Sequence, residues 1–498
     1  MKIIKYLSFL VLILFSSCND WLDLEPTNGR LTDLYWQTKS DVHNTMMNCY
    51  VRLRGDVQER VLVWGEMRAD VLETNDATNL EIKEQNFNTE NNYLAWASFY
   101  KVINSANSVI ENAEKVLDRD PLFTEEECLA YVAEAKIVRA LAYFYLVRTF
   151  REVPFVLNSY TSDNQDFYVP TSSEKVILDK LKEDLIWATE NAKSYYNTTL
   201  TGPDSWQNKS RATKWAAYAL LADIYLWNEE YQLCRDACME IIEKSQLKLV
   251  SGEEWYKIFY PGLSSESIFE LYYDHGNNQT NNLFNWFNKS ARYYLNTGTR
   301  TLFEETPDDL RGYKKSYYKQ DTWYSVWKYM GTKEAGDNGE NKRSGNNQSA
   351  NWIYYRLADI YLIYAEASVF QEEGNRSNYI EAARALNVIK ERAGIPLLDE
   401  DRILTMSETM FADEILLERK KEFVGEGKRW FDLVRFSKKE NFESNYRDLV
   451  MNILLEIIPL PERPIFQAKM GNPWRYYLPI HKEEMDRSKG VLIQNPAY

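Results

Sequence analysis

Histidine is nearly missing from this chain of 498 residues. It has three, His43, His275 and His481, and none stands in a zinc-binding H-E-x-x-H spacing. There is no G-x-S-x-G elbow and no glycine-rich loop that would cradle a phosphate, so nucleophilic-serine and nucleotide chemistry have no motif to rest on. Basic charge is also short: 59 Lys and Arg face 74 Asp and Glu, a formal charge of −15. A phosphate backbone wants a basic face, so no nucleic-acid partner is expected. The uncharged run from Tyr6 to Phe15 holds about ten residues, against roughly 20 for a membrane-spanning helix. The five cysteines, Cys18, Cys49, Cys128, Cys234 and Cys238, follow no regular spacing. Cys234 and Cys238 fall one helical turn apart, but no second Cys or His pair lies near. Buried thiols are therefore expected rather than a metal edge, and neither a metal nor a cofactor is called for.

What remains is globular in composition, 45% hydrophobic and 27% charged, and long enough for two or three domains or one large lobed unit. Aromatics are abundant, with 35 Tyr and 15 Trp. Most of the chain reads helical. Three segments look alike: RALAYFYLVRTF (Arg139 to Phe150), ALLADIYLWNEEY (Ala219 to Tyr231) and YRLADIYLIYAEA (Tyr355 to Ala367). Each sets Ala among Leu, Ile and Tyr at three- and four-residue spacing, so that a neighbouring helix can approach closely. The second continues past a turn near Asn228 to Glu230 into another helix, a tetratricopeptide-type pair. The third continues into YIEAARALNVIKERAG, where Gly394 is a natural stop. The spacing is not constant, which predicts a few helix pairs with long insertions rather than a regular solenoid. From about Ser251 to Ala350 the helical pattern thins into Gly- and Asn-rich sequence, and a second, irregular lobe of loops, short helices and few strands is expected there.

The N-terminus has a basic start, an apolar stretch and small residues, the layout of a secretory signal. Phe15, Ser16, Ser17 and Cys18 resemble a bacterial lipobox, which implies acylation of Cys18 as the new N-terminus. Four further stretches, CNDWLDLEPT, WASFYKVINSANSVIE, ERKKEFVGEGKRWFDLVRF (Glu418 to Phe436) and YYLPIHKEEMDRSKGVLIQNPAY, resemble the SusD/RagB family of outer-membrane nutrient-binding lipoproteins. The resemblance runs from Cys18 to Tyr498 and is most specific near Glu418. His481 and Ser488-Lys489-Gly490 depart from the usual closing motif. The resemblance implies a mainly α fold with a tetratricopeptide-like lobe and no enzyme activity. It also implies capture of oligosaccharides, or in one branch peptides, for a SusC-like TonB-dependent transporter at the outside of the outer membrane. The expected divisions are a signal peptide at 1–17, a lipid-anchored tether and start of the mature chain at 18–40, and a helical-repeat region at 41–250. An irregular insertion at 251–350 is the candidate ligand lobe, and a C-terminal region with the last helix pair and a wrapping tail fills 351–498.

The alternating charges of Glu418 to Phe436 invite a catalytic reading. The interleaved Phe423, Trp430 and Phe431 and the break at Gly425 and Gly427 instead describe a helix–turn–helix staple whose Arg419, Arg429 and Arg435 pair with Glu422, Glu426 or Asp432. A surface glycosidase would need only two carboxylates close in space, and no pair among the 74 acids is singled out. Two loop regions look like ligand surfaces: RADVLETNDATNL (Arg68 to Leu80), and the Asn-rich stretch around Trp286 followed by ARYYLNTGTR and DTWYSVW. Aromatic rings suit the C–H faces of sugars, and amides both donate to and accept from hydroxyls. The expected platform is Trp286, Tyr293, Tyr294 and Trp323, with hydrogen bonds from Asp76 and Asn79. Trp327, within SVWKYMG, is read as scaffold.

Overall fold

A computed structural model describes residues 35–161, 167–288, 292–320, 322–331, 341–343 and 349–498. Cys18 and the apolar stretch before it lie outside the described residues. The chain is mainly α, as its spacing predicts, and its long helices form an uneven stack. The helices are α1 (Lys39–Leu53), α2 (Ala97–Leu117), α3 (Glu125–Phe150), α4 (Glu174–Asn191), α5 (Lys214–Trp227), α6 (Tyr231–Lys244), α7 (Leu357–Phe370), α8 (Arg376–Ala393), α9 (Glu408–Glu422) and α10 (Arg429–Phe442). Each of α1 to α7 packs on the next, and α7 also packs on α8 and α9.

The local reasons are visible in the sequence. Thr124 opens α3 with a capping box: its hydroxyl accepts from the Glu127 amide at 3.3 Å while the Glu127 carboxylate accepts from the Thr124 amide. Every residue from Ile137 to Phe150 is buried, so this helix is covered on all sides, by α2 and α4 among others. The repeated Ala–Leu–Tyr segments are thus the inner members of their pairs. The turn between α5 and α6 falls at Asn228–Glu230, and Gly394 ends α8 in the left-handed region with φ 72°. Cys234 and Cys238 are fully buried on α6.

The strands are short and scattered: β1 (Leu72–Thr74), β2 (Val153–Pro154), β3 (Thr171–Ser172), β4 (Ser267–Leu271), β5 (Tyr293–Leu295), β6 (Tyr317–Gln320), β7 (Trp323–Val326) and β8 (Trp352–Arg356). They form antiparallel pairs, β1 with β5, β2 with β3, β4 with β8 and β6 with β7. The first and third pairs join segments far apart in sequence and tie residues 251–350 to the helical stack.

The segment Glu418 to Phe436 is the knot of the molecule. Glu422 at the end of α9 meets Arg311 at 2.8 Å and Arg356 at 2.5 Å, and pairs with Arg392 as well. Glu426 accepts from Lys328 at 2.6 Å and Arg356 at 2.9 Å. Arg419 and Arg435 share Asp432, while Arg429 reaches Asp70 at 2.8 Å. All these groups are buried. An unpaired charge there would lose several kcal/mol of hydration, so each member depends on the others. Between α9 and α10 the chain crosses tightly over the segment Val63–Met67. A Cβ on Gly65 would lie 1.8 Å from the Gly427 carbonyl oxygen, and Gly427 itself has φ 74°; only glycine fits either place. The C-terminal tail is hydrogen-bonded to the body at several points. Arg68 donates to the Tyr476 carbonyl at 2.6 Å, the Leu478 amide to Thr149 O at 2.8 Å, and the Lys482 amide to Thr89 O at 2.9 Å.

Candidate functional site

The two loop regions singled out by their Asn and aromatic content meet at the β1–β5 pair. Thr74 lies opposite Tyr293, and Glu73 opposite Tyr294. The Thr74 hydroxyl donates to the Arg292 carbonyl at 2.8 Å, and the Asn296 amide group to Glu73 at 3.0 Å. Asp76 caps the short helix Ala77–Lys83, accepting from the Asn79 backbone at 3.1 Å and from its side chain at 2.9 Å. β7, which carries Trp323, packs beside β5. Residues about 220 positions apart are therefore assembled by two short strands and one hairpin, as the β1–β5 hydrogen bonds record.

Within this cluster the expected residues take different places. Tyr294 and Trp323 are half-buried, and so is Asp76 on the early loop. The Tyr294 hydroxyl donates to the exposed Asn75 at 3.3 Å. Asn79 and Tyr293 are fully buried, and Trp286 retains 7% exposure. Trp286 meets the Tyr293 ring edge-on with centroids 6.2 Å apart, and Phe287 packs on Tyr293 from another side. Neither ring turns a face outward. Both groups of the Asn79 side chain are engaged inside, on Asp76 and on the Tyr293 hydroxyl at 3.4 Å. The reason is geometric. A three-residue strand sends alternate side chains to opposite faces, so Tyr293 and Leu295 point inward while Tyr294 points out. Trp327 is buried, as its setting suggested.

Three residues of the cluster escaped the sequence reading. Arg292 pairs with Glu59 at 2.5 Å and with Asp76 at 3.4 Å, holding the early helices, the capping loop and β5 together. Tyr93 donates to Glu59 at 2.8 Å and lies 3.3 Å from the Tyr293 hydroxyl. Burial, with Glu59 adding, pushes the Tyr93 phenol up to about 12, and the same causes act more strongly on Tyr293. Both stay protonated and serve as hydrogen-bonding groups. Arg292 directly precedes the two tyrosines and could have been flagged; Glu59 sits in ordinary helical sequence and carried no sign. Alongside lies a cavity of about 410 Å³, lined by Glu73, Leu80 and Lys83 on one side and Ile458, Phe466 and Lys469 on the other.

The chemistry of the cluster is that of a holding surface: half-buried rings, amides and a paired guanidinium. Among the described residues, no group of three or more His, Cys, Asp or Glu is placed to hold a metal ion.

The SusD family's sequence model matches residues 183–498, and a second, described as starch-binding and associating with the outer membrane, matches residues 20–226. A SusD-like protein of Formosa agariphila is 26% identical over 493 residues, covering 88% of this chain and 93% of that one. A SusD-like protein of Bacteroides ovatus is 26% identical over 483 residues, covering 85% and 80%. Among solved structures, a SusD superfamily protein from Bacteroides thetaiotaomicron superposes with a TM-score of 0.72 at 22% identity, over 93% of this chain and 99% of that one. A laminarin-binding SusD-like protein superposes with a TM-score of 0.70 at 20% identity, over 93% and 100%.

Proposed function

The chain belongs to the SusD family, and on that premise we propose that it is a cell-surface lipoprotein that captures oligosaccharides and passes them to a SusC-like TonB-dependent transporter without cleaving them. The observation that carries the reading is the β1–β5 junction. There the Asn- and Asp-rich early loop meets Tyr294, with β7 and its Trp323 packed beside β5. In this reading Tyr294 and Trp323 supply the stacking faces and Asp76 a polar contact. Trp286, Tyr293 and Asn79 support them from beneath, with Arg292 as the clamp. Half-buried rings next to amides suit a neutral sugar, which needs C–H contact and hydroxyl partners rather than a counter-charge. The starch-binding description of the matched N-terminal model and the laminarin-binding neighbour of like fold agree with a glycan as ligand.

A glycan array probed with the purified chain, alongside a panel of peptides, tests this. Oligosaccharides should be retained and peptides not, and the retained sugars should show no new reducing ends after prolonged incubation. Retention of peptides alone would make the chain a peptide-capturing relative, and new reducing ends would make it a glycosidase.

A further inference from the structure

A second concavity shares no lining residue with the one beside the sugar surface. It measures about 480 Å³ and opens between α2, the segments around Pro154 and Phe167, and the C-terminal tail. Trp96, Tyr100, Phe167, Tyr168 and Leu492 are among its walls. Phe167 and Tyr168 are 51% and 39% exposed, large rings left at a cavity mouth.

The polar groups in the walls are already used. Asn104 donates to the Tyr160 carbonyl at 3.2 Å and accepts from the Tyr160 amide at 2.6 Å. Asn107 donates to Val156 O and Asn158 O and accepts from Arg139. The Tyr100 hydroxyl donates to Pro154 O at 2.6 Å. Sugar hydroxyls would find few partners inside, so the interior suits an apolar body.

The rim is charged, with three cations to one acid. Arg52 and Lys101 line the cavity, are exposed, and make no ion pair with a described residue. Arg487, also lining it, pairs with Glu483 in solvent at 3.0 Å, and its charge acts on Glu484 as well. The single acid of the lining is Glu484, whose carboxyl is pushed up by burial. In a chain of formal charge −15 this is a local reversal of sign, and it selects an anion.

We propose that this cavity binds a small amphipathic carboxylate, its apolar chain or ring among Trp96, Tyr100, Phe167 and Tyr168 and its carboxylate held at the mouth by Lys101 and Arg52. The site is separate from the β1–β5 surface and does not depend on the glycan reading.

Decanoate and its uncharged counterpart decanol, each below its aggregation threshold, are titrated into the full chain, with Trp96 supplying a fluorescence signal and calorimetry the stoichiometry. Decanoate should bind saturably, one per chain, and more tightly than decanol. Lys101→Glu with Arg52→Glu, both at exposed positions, should weaken decanoate at least tenfold and leave decanol within twofold. Phe167→Ser should weaken both, while Tyr294→Ala should change neither. Thermal melts confirm that each variant is folded. Absence of saturable binding to the parent, or decanoate binding at parental strength in the doubly reversed variant, would overturn the proposal.

Discussion

Glu66 shows how much a single buried group can govern. It is fully buried; one carboxylate oxygen accepts from the Gly427 amide at 2.9 Å and the Lys428 amide at 3.3 Å, and the other has no hydrogen-bond partner among the described residues. Burial pushes its carboxyl up to about 8. A raised carboxyl is protonated in the fold while the unfolded chain has already ionised, so folding binds a proton throughout that window. Its contribution to stability therefore falls as pH rises from the ordinary carboxylate range to about 8, by up to about 1.4 kcal/mol per pH unit. Glu66→Gln, which copies the protonated form, should gain on the parent steadily between pH 5 and pH 8 in urea unfolding. A constant difference across that range would show that Glu66 is ionised in the fold. At Trp286 the outcome is of another kind. The ring is interior, so Trp286→Ala should lower unfolding stability by about 3–5 kcal/mol, read by the same urea series. Its composition, an aromatic among asparagines, looked like a ligand surface; what it could not reveal is the alternation of β5, which turns Tyr293 toward Trp286 and leaves only Tyr294 outside.

At the scale of elements, the helices were legible and the pairings were not. Ala–Leu–Tyr spacing announced the inner helices, Asn228–Glu230 the turn and Gly394 the stop, because these are local preferences. Gly425 and Gly427 were legible as a break between helices, but the close approach of Gly65 to Gly427 was not. The charged run at Glu418 to Phe436 was readable as scaffold, and the pairing of Arg419 and Arg435 with Asp432 was within reach of spacing rules. The partners of Glu422 were not, since Arg311, Arg356 and Arg392 come from other elements and nothing local marks them. Strands β4 and β5, within residues 251–350, were hidden for the same reason: their register is set by β8 and β1, outside that stretch. Arg356 is where these elements converge, meeting Glu266, Glu422 and Glu426 at 2.5–3.0 Å with no exposure. Arg356→Ala leaves three carboxylates without their common cation and should destabilise by about 3–5 kcal/mol. A variant that unfolds within 1 kcal/mol of the parent would mean that Lys328, Arg311 and Arg392 suffice.

The whole molecule, in the proposed reading, is a tethered capture device. Its anchor rests on Cys18: several acyl chains hold a protein at a membrane where one gives only marginal binding, at about 0.8 kcal/mol per buried CH₂. Cys18→Ala should move the protein from the membrane fraction to the soluble one and abolish fatty-acid labelling; label retained in the variant would place the lipid elsewhere. A captured sugar must also be released, so affinity in the micromolar to millimolar range is expected, roughly −8 to −4 kcal/mol. The central claim is that the outward rings of β5 and β7 hold that sugar. The most direct measurement is calorimetric titration of an array-selected oligosaccharide into the parent, Tyr294→Ala and Trp323→Ala, with circular dichroism confirming that all three are folded. Loss of either ring should weaken binding by about 1–3 kcal/mol, roughly five- to 150-fold. Two folded variants that bind as tightly as the parent would contradict the account.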